Sequence, residues 1–200
     1  MTPTDDATRG SAYAQRLSDL QGARWKRLVS VQRPYRWNLR RLHLGRTLDV
    51  GCGIGRNLEN LDGGGVGVDH NGDSVAACRA RGFVAYTSEE FAGSDEGRSG
   101  DFESLLFAHV LEHMHRPDAI ALVRAYLPYL RRPGKVVLIT PQERGHASDA
   151  THVAFMDAEM LSGIAAECGL TVQRSYSFPF PRQVGRVFTY NEFVVMATAV

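Results

Sequence analysis

The sequence predicts an α/β domain on a mostly parallel sheet, covered by helices on both faces and closed by an antiparallel C-terminal hairpin. Three observations carry this. From Arg46 onward, short apolar runs alternate with helical stretches, the pattern of βαβ units. The first of those runs opens directly onto a glycine-rich turn, Gly51-Cys52-Gly53-Ile54-Gly55. The last two runs are joined by FPFPRQVGR with no helix between them, so at least one strand runs against the others.

Taken in order, Tyr13, Leu17, Leu20, Trp25 and Leu28 recur at helical spacing and predict an amphipathic helix across residues 11–31. Pro34 interrupts it, and Pro34–Leu42 reads as a second short helix with proline in its first turn. Residues 1–45 thus form a helical lid segment ahead of a domain spanning 46–200. Seven strands are expected: Thr47–Val50, Gly65–Val68, Phe83–Tyr86, Ser104–Phe107, Val136–Ile139, Leu170–Ser177 and Phe188–Thr198. Helices are expected at Arg56–Leu61, Ser74–Arg81, Asp118–Leu130 and Asp157–Cys168, the last capped by Asp157. The polar stretch Ser88–Gly100 reads as a surface loop.

A chain of 200 residues with 44% hydrophobic and 22% charged residues has the composition of one globular domain, which excludes disorder, collagen and coiled coil. No apolar run approaches the ~20 residues of a membrane helix, and the polar start MTPTDDATRGS lacks the apolar stretch of a secretory signal. A cytoplasmic location is expected. Cys52, Cys78 and Cys168 are odd in number and far apart, forming neither a disulfide framework nor a CxxC metal pair. Residues 1–46 hold ten basic side chains against three acidic, while the rest of the chain is net negative. Because 21 of the 23 basic residues are arginine, the basic N-terminus reads as a compositional habit on a solvated helix face.

The chemistry concentrates around the first glycine turn. Glycines there permit positive φ and let a ligand lie against the backbone. Eighteen residues after Gly51, the second strand ends in Asp69, placed to accept both hydroxyls of an adenosine ribose. Arg56 stands where a dinucleotide fingerprint requires glycine, and no triphosphate loop of the G-x-x-x-x-G-K-[ST] type occurs. Asp49, just before the glycines, repels a pyrophosphate but suits an ammonium or sulfonium group. The arrangement favours a cationic adenosine ligand.

The segments LDVGCGIGRNLENL, GVGVDHN, FAHVLEHM and LRRPGKVVLITPQ resemble, in that order, the motifs of class I S-adenosylmethionine-dependent methyltransferases of the type-11/type-12 small-molecule group. The resemblance covers residues 46–200 and extends to sugar O-methyltransferases, including the mycobacterial methylmannose-polysaccharide type. It implies a Rossmann-like seven-stranded fold with S-adenosyl-L-methionine as cofactor. It also implies that Gly51, Gly53 and Gly55 line the methionine and ribose, with Asp49 near the amino group. Asp69 then takes the ribose hydroxyls and His70 with Asn71 lies near the adenine. His109 faces the methionine end or the site of transfer. The family often has an aspartate after the third strand to contact the adenine amino group. Here Tyr86-Thr87-Ser88-Glu89 stands there, leaving that contact to Thr87, Ser88 or Glu89, of which Ser88 is the expected residue.

The loop after the fifth strand carries His146, Asp149 and His152 and overhangs the carboxyl ends of the strands, where ligands bind in open parallel sheets. An imidazole suits removal of a hydroxyl proton near neutral pH, so His152 or His146 is the expected base. The expected reaction is methyl transfer to a hydroxyl of a small polar acceptor, a sugar by preference. A divalent ion held by Asp149 and a histidine is conceivable but not expected, and no metal ligand is assigned. Two alternatives stand beside this. An RNA-modifying enzyme would use the basic N-terminal helices, although nucleic acid is not the favoured partner. A zinc hydrolase would use His109-Val110-Leu111-Glu112-His113, an H-x-x-E-H sequence that needs a helix to bring both imidazoles to one face. No membrane partner is expected, and the oligomer is a monomer or homodimer.

Overall fold

The computed structural model describes residues 32–61 and 64–199. The predicted helix over residues 11–31, with most of the lid segment, lies outside the described residues. Seven strands form one mixed sheet in the order β3-β2-β1-β4-β5-β7-β6. They are β1 (Thr47–Val50), β2 (Gly65–Asp69), β3 (Val84–Thr87), β4 (Phe102–Ala108), β5 (Leu130–Pro141), β6 (Thr171–Phe178) and β7 (Glu192–Ala199). This is a Rossmann-like α/β arrangement with helices around the sheet. The chain divides into two compact units, one ending at Gly97 and the other beginning at Arg98. No helix among the described residues is long and apolar enough to cross a membrane.

In the first unit, β1 pairs in parallel with β2 and β2 with β3. All four residues of β1 are buried, as a strand covered on both faces requires. Helix α1 (Gln32–Arg41) carries Pro34 in its first turn, as the sequence predicts. Helix α2 (Gly72–Ala80) starts at Asn71, whose Oδ1 accepts from the backbone N–H groups of Asp73 and Ser74 at 3.0 and 3.1 Å. Two expectations are corrected here. The helix expected at Arg56–Leu61 is a turn followed by a single 3-10 turn, Leu58–Asn60. The Asn60 side chain donates to the Arg56 carbonyl at 3.2 Å, a local bond that competes with helical pairing. The surface loop expected from Ser88 instead begins as a short helix, α3 (Ser88–Ala92). Thr87 and Glu90 form a reciprocal capping box: Thr87 Oγ1 accepts from the Glu90 amide at 3.2 Å, and Glu90 Oε2 from the Thr87 amide at 2.9 Å.

In the second unit, β4 and β5 are parallel, while β7 runs antiparallel to both β5 and β6. Leu105, Leu106, Phe107, Val136, Val137, Leu138, Val194 and Val195 are wholly buried and form its core. Helix α4 (Arg116–Tyr126) packs on α6 (Ala158–Glu167), which covers β6 and β7. Asp157 caps α6 as expected, its Oδ1 accepting from the Met160 amide at 2.9 Å. A buried polar cluster pins the end of β5 to the hairpin linker. Gln142 donates to Ser177 Oγ at 2.8 Å and to the Glu192 carbonyl at 3.0 Å, and accepts from Asn191 Nδ2 at 3.0 Å. Next to it, Glu143 and Arg182 form a two-pronged ion pair. Helix α5 (Glu143–His146) begins at these anchors, so the histidine-bearing loop starts from a fixed point.

Candidate active site

The glycine turn after β1 is bolted to the tip of β2. The Gly51 and Cys52 amides both donate to the Val68 carbonyl, at 2.8 and 3.1 Å. The Gly53 amide donates to Asp69 Oδ2 and the Asn71 amide to Asp69 Oδ1, each at 2.8 Å. Gly55 donates to the Cys52 carbonyl at 2.9 Å. The turn needs glycine twice over. Gly53 and Gly55 have φ of 52° and 81°, and a Cβ on Gly55 would meet Cys78 Sγ at 2.8 Å and Phe83 at 2.9 Å. With the amides of Gly51, Cys52, Gly53 and Gly55 all committed internally, the turn offers little to a phosphate. Two carboxylates stand at this turn: Asp49 on β1, wholly buried, and Asp69 at the end of the neighbouring parallel strand.

The other residues expected at this end are spread along the carboxyl edge of the first unit. His70 Nδ1 lies 3.6 Å from Asp69 Oδ1. Asn71 is buried and occupied as the α2 cap. Thr87, paired in register with Asp69, is occupied as the α3 cap, so Ser88 and Glu89 are the exposed groups at the tip of β3.

The second unit gathers histidines and carboxylates. His109 directly follows β4 and has φ 60°, and the Leu111–His113 stretch beyond it is only a 3-10 turn. The H-x-x-E-H sequence therefore lacks the helix that the zinc-hydrolase alternative needs, and that alternative is set aside. His109 Nε2 lies 2.8 Å from Glu192 Oε1, and its Nδ1 lies 3.3 Å from Glu112 Oε1. Desolvation works against a charged His109, but the two carboxylates outweigh it and lift its pKa to about 10. Glu112 is wholly buried; burial favours its neutral form, yet His109 overcomes this and holds its carboxyl below the usual range. Burial lowers the pKa of His113, partly countered by Glu112.

His146 and His152 come together, with ring centres 5.3 Å apart, and His152 also meets His113 edge-on at 5.0 Å. His152 Nδ1 donates to the His146 carbonyl at 2.9 Å, which leaves Nε2 unprotonated in the neutral ring, 4.0 Å from Glu112 Oε1. His146 Nε2 has no hydrogen-bond partner. Burial and the neighbouring His152 hold the His146 pKa below its usual value, so this ring is neutral near pH 7. Asp149 turns inward to its own loop, accepting from the Thr151 amide and hydroxyl at 3.0 and 2.9 Å. Phe155 packs against His146 at 5.4 Å and Phe193 at 6.0 Å, beside a cleft of about 450 Å³ lined in part by Ser175, Ser177, Arg182 and Phe193.

The methyltransferase domain family matches residues 21–175, well over half of the chain. This chain belongs to that family. The methyltransferase also shares its fold with solved enzymes. A SAM-dependent methyltransferase from Archaeoglobus fulgidus is 20% identical, with 82% of this chain and 93% of that one covered and a TM-score of 0.65. Magnesium protoporphyrin IX methyltransferase from Synechocystis, solved with bound SAH, is 13% identical over 98% and 97% of the two chains, at a TM-score of 0.67. A SAM-dependent methyltransferase from Aquifex aeolicus is 14% identical over 94% and 98%, at 0.64. At these identities the likeness speaks for the fold. No curated protein matches the sequence.

Sequence reasoning passed over Glu112 as the partner that His109 and His152 share. The signal was present in H-x-x-E-H, but it belongs to a turn and not to a helix. The Thr87–Glu90 capping box was equally legible, as T-x-x-E.

Proposed function

We propose that this methyltransferase transfers the methyl group of S-adenosylmethionine to a hydroxyl of a small polar acceptor, of the sugar class. The observation that carries the cofactor half is the carboxylate-rich, amide-poor turn after β1. Asp49 and Asp69 are the acceptor set for a ligand with a positive charge and a vicinal diol, and the spent amides disfavour a pyrophosphate. Asp69, held from both sides by backbone N–H groups, keeps lone pairs for the ribose hydroxyls. His70 and Ser88 flank the adenine, and Gly51, Gly53 and Gly55 line the methionine and ribose. When bound, the cofactor supplies an electrophilic methyl carbon for in-line displacement.

The His146–His152 pair carries the acceptor half. A hydroxyl must lose its proton as its oxygen attacks carbon, and a neutral imidazole is the group suited to take it. His146 is assigned that role for its pKa lowered by burial and its Nε2, which is unpartnered and buried, so that the acceptor must displace a neighbouring group to reach it. His152 stands beside it, its tautomer fixed by the His146 carbonyl. The cleft lined by Asp157, Glu159, Ser175, Tyr176, Ser177 and Arg182 is rich in polar groups, which suits a hydroxyl-rich molecule over a flat apolar one. The test is methyl-labelled S-adenosylmethionine with panels of sugars, phenols and short RNAs. Label transferred to a sugar hydroxyl, and reduced in His146→Ala, is the expected result. Transfer to RNA alone overturns the acceptor assignment.

A further inference from the structure

Glu112, His113 and His152 each present one donor atom, and these three atoms lie within 4.8 Å of one another. They come from two segments, the turn after β4 and the loop after α5. Backbone bonds clasp the segments together: the Val153 and Ala154 amides donate to the Glu112 carbonyl at 2.8 and 3.2 Å. Main-chain bonds thus help to set the positions of the three groups, beside the edge-on contact of His113 with His152.

Two further features go beyond an ordinary buried ion pair. First, the Glu112 side chain is wholly buried, with His109 Nδ1 3.3 Å from Oε1 and no hydrogen-bond partner at Oε2. A buried carboxylate without hydrogen bonds is costly unless a charge compensates it. His109 supplies that charge at Oε1 while its other nitrogen pairs with Glu192, which leaves Oε2 as the unpartnered oxygen. Second, His113 and His152 both use Nδ1–H on backbone carbonyls, of Thr151 at 3.1 Å and of His146 at 2.9 Å. Each ring is thereby left with Nε2 as its lone-pair nitrogen. This is how a second shell fixes the tautomer and orientation of metal-binding imidazoles.

We propose that Glu112, His113 and His152 bind one divalent first-row transition-metal ion. Two imidazoles and a carboxylate suit zinc, cobalt or manganese better than magnesium or calcium, which favour all-oxygen shells. Ligand atoms about 2.0–2.2 Å from a shared ion lie no more than about 4.4 Å apart, so small side-chain rotations close the set. Glu192 keeps His109 paired when Glu112 turns to the ion. Three protein ligands leave coordination positions for an oxygen ligand. Resting on the hydroxyl-acceptor reading above, that ligand is the acceptor's hydroxyl, with His146 adjacent to receive its proton. The ion site itself does not depend on that reading.

The test is titration of untagged, chelator-dialysed protein with Co²⁺, followed by visible absorption, and with Zn²⁺, followed by calorimetry. One ion per chain is expected, with affinity at least about tenfold weaker in each of Glu112→Gln, His113→Gln and His152→Gln. Thermal melts check that each variant folds; should the buried Glu112→Gln fail, the two histidine variants decide. Absence of binding, or binding unchanged in the folded variants, overturns the proposal. S-adenosylhomocysteine affinity is measured on the same samples. S-adenosylhomocysteine binding without metal binding sinks only the ion site, and metal binding without it sinks only the cofactor reading.

Discussion

The Gly53 amide donates to Asp69 Oδ2 at 2.8 Å, joining the glycine turn after β1 to the acid at the tip of β2. One bond thereby sets the height of the turn and the orientation of the carboxylate. Since Asn71 holds the other oxygen, the side chain cannot swing away without breaking a second backbone contact. The cofactor assignment rests on this cradle, and it exposes the turn to small changes.

Gly55→Ala is the sharpest of those. Its φ of 81° strains any L side chain, and its Cβ would press on Cys78 and Phe83. A loss of about 2–4 kcal/mol is expected from backbone strain and overpacking together. Chemical denaturation measures it, and a variant as stable as wild type would show that the turn adapts.

The capping box at the start of α3 gives a pH-dependent prediction. The Thr87 amide, and then Arg79, hold the Glu90 carboxyl below its usual range. Depression in the folded state means the contribution is present above the unfolded carboxylate value and is lost as pH falls through the folded one. Wild type should therefore exceed Glu90→Gln in melting temperature at neutral pH, with the gap closing in acid. Thr87→Ala should cost about 1 kcal/mol at any pH, as loss of a cap does.

Asn191→Leu tests the polar cluster behind the histidine loop. The substitution strands Gln142 Oε1 and the Phe180 amide, which Asn191 now satisfies at 3.0 and 2.9 Å. Destabilisation of about 1–3 kcal/mol is expected, together with faster hydrogen exchange in residues 142–152.

His146→Ala should lower kcat by about 10²–10⁴, the usual worth of a positioned base, while S-adenosylhomocysteine binds as before. The pH–rate profile should lose its lower limb, because the missing group is the one that must be neutral. A KM effect with kcat intact would instead make His146 part of acceptor binding.

Much of the fold was legible because it depends on periodicity and on the order of runs. Thr47–Val50 appears with the predicted bounds and β2, β3, β4 and β6 within two residues of theirs, whereas β5 begins six residues before Val136, where a helix end was expected, and β7 four residues after Phe188. The departures have local causes. The Asn60 side chain bonds the backbone after the glycine turn and leaves a 3-10 turn where a helix was expected, and the Thr87–Glu90 box builds α3 inside an apparent loop. Of the site, Asp49, Asp69 and the glycines stood in one contiguous motif. The meeting of Glu112 with His152 did not, because forty residues and a strand separate them, and bonds from the Val153 and Ala154 amides and from His113 to the Thr151 carbonyl join them across that distance.

The most direct measurement is calorimetric titration of wild type, Asp69→Asn and Asp69→Ala with S-adenosylmethionine and S-adenosylhomocysteine. The account predicts saturable one-to-one binding to wild type, weakened about 10–100-fold in both variants, the loss expected for hydrogen bonds to a charged group. Wild-type protein that melts cooperatively but takes up neither compound would contradict it.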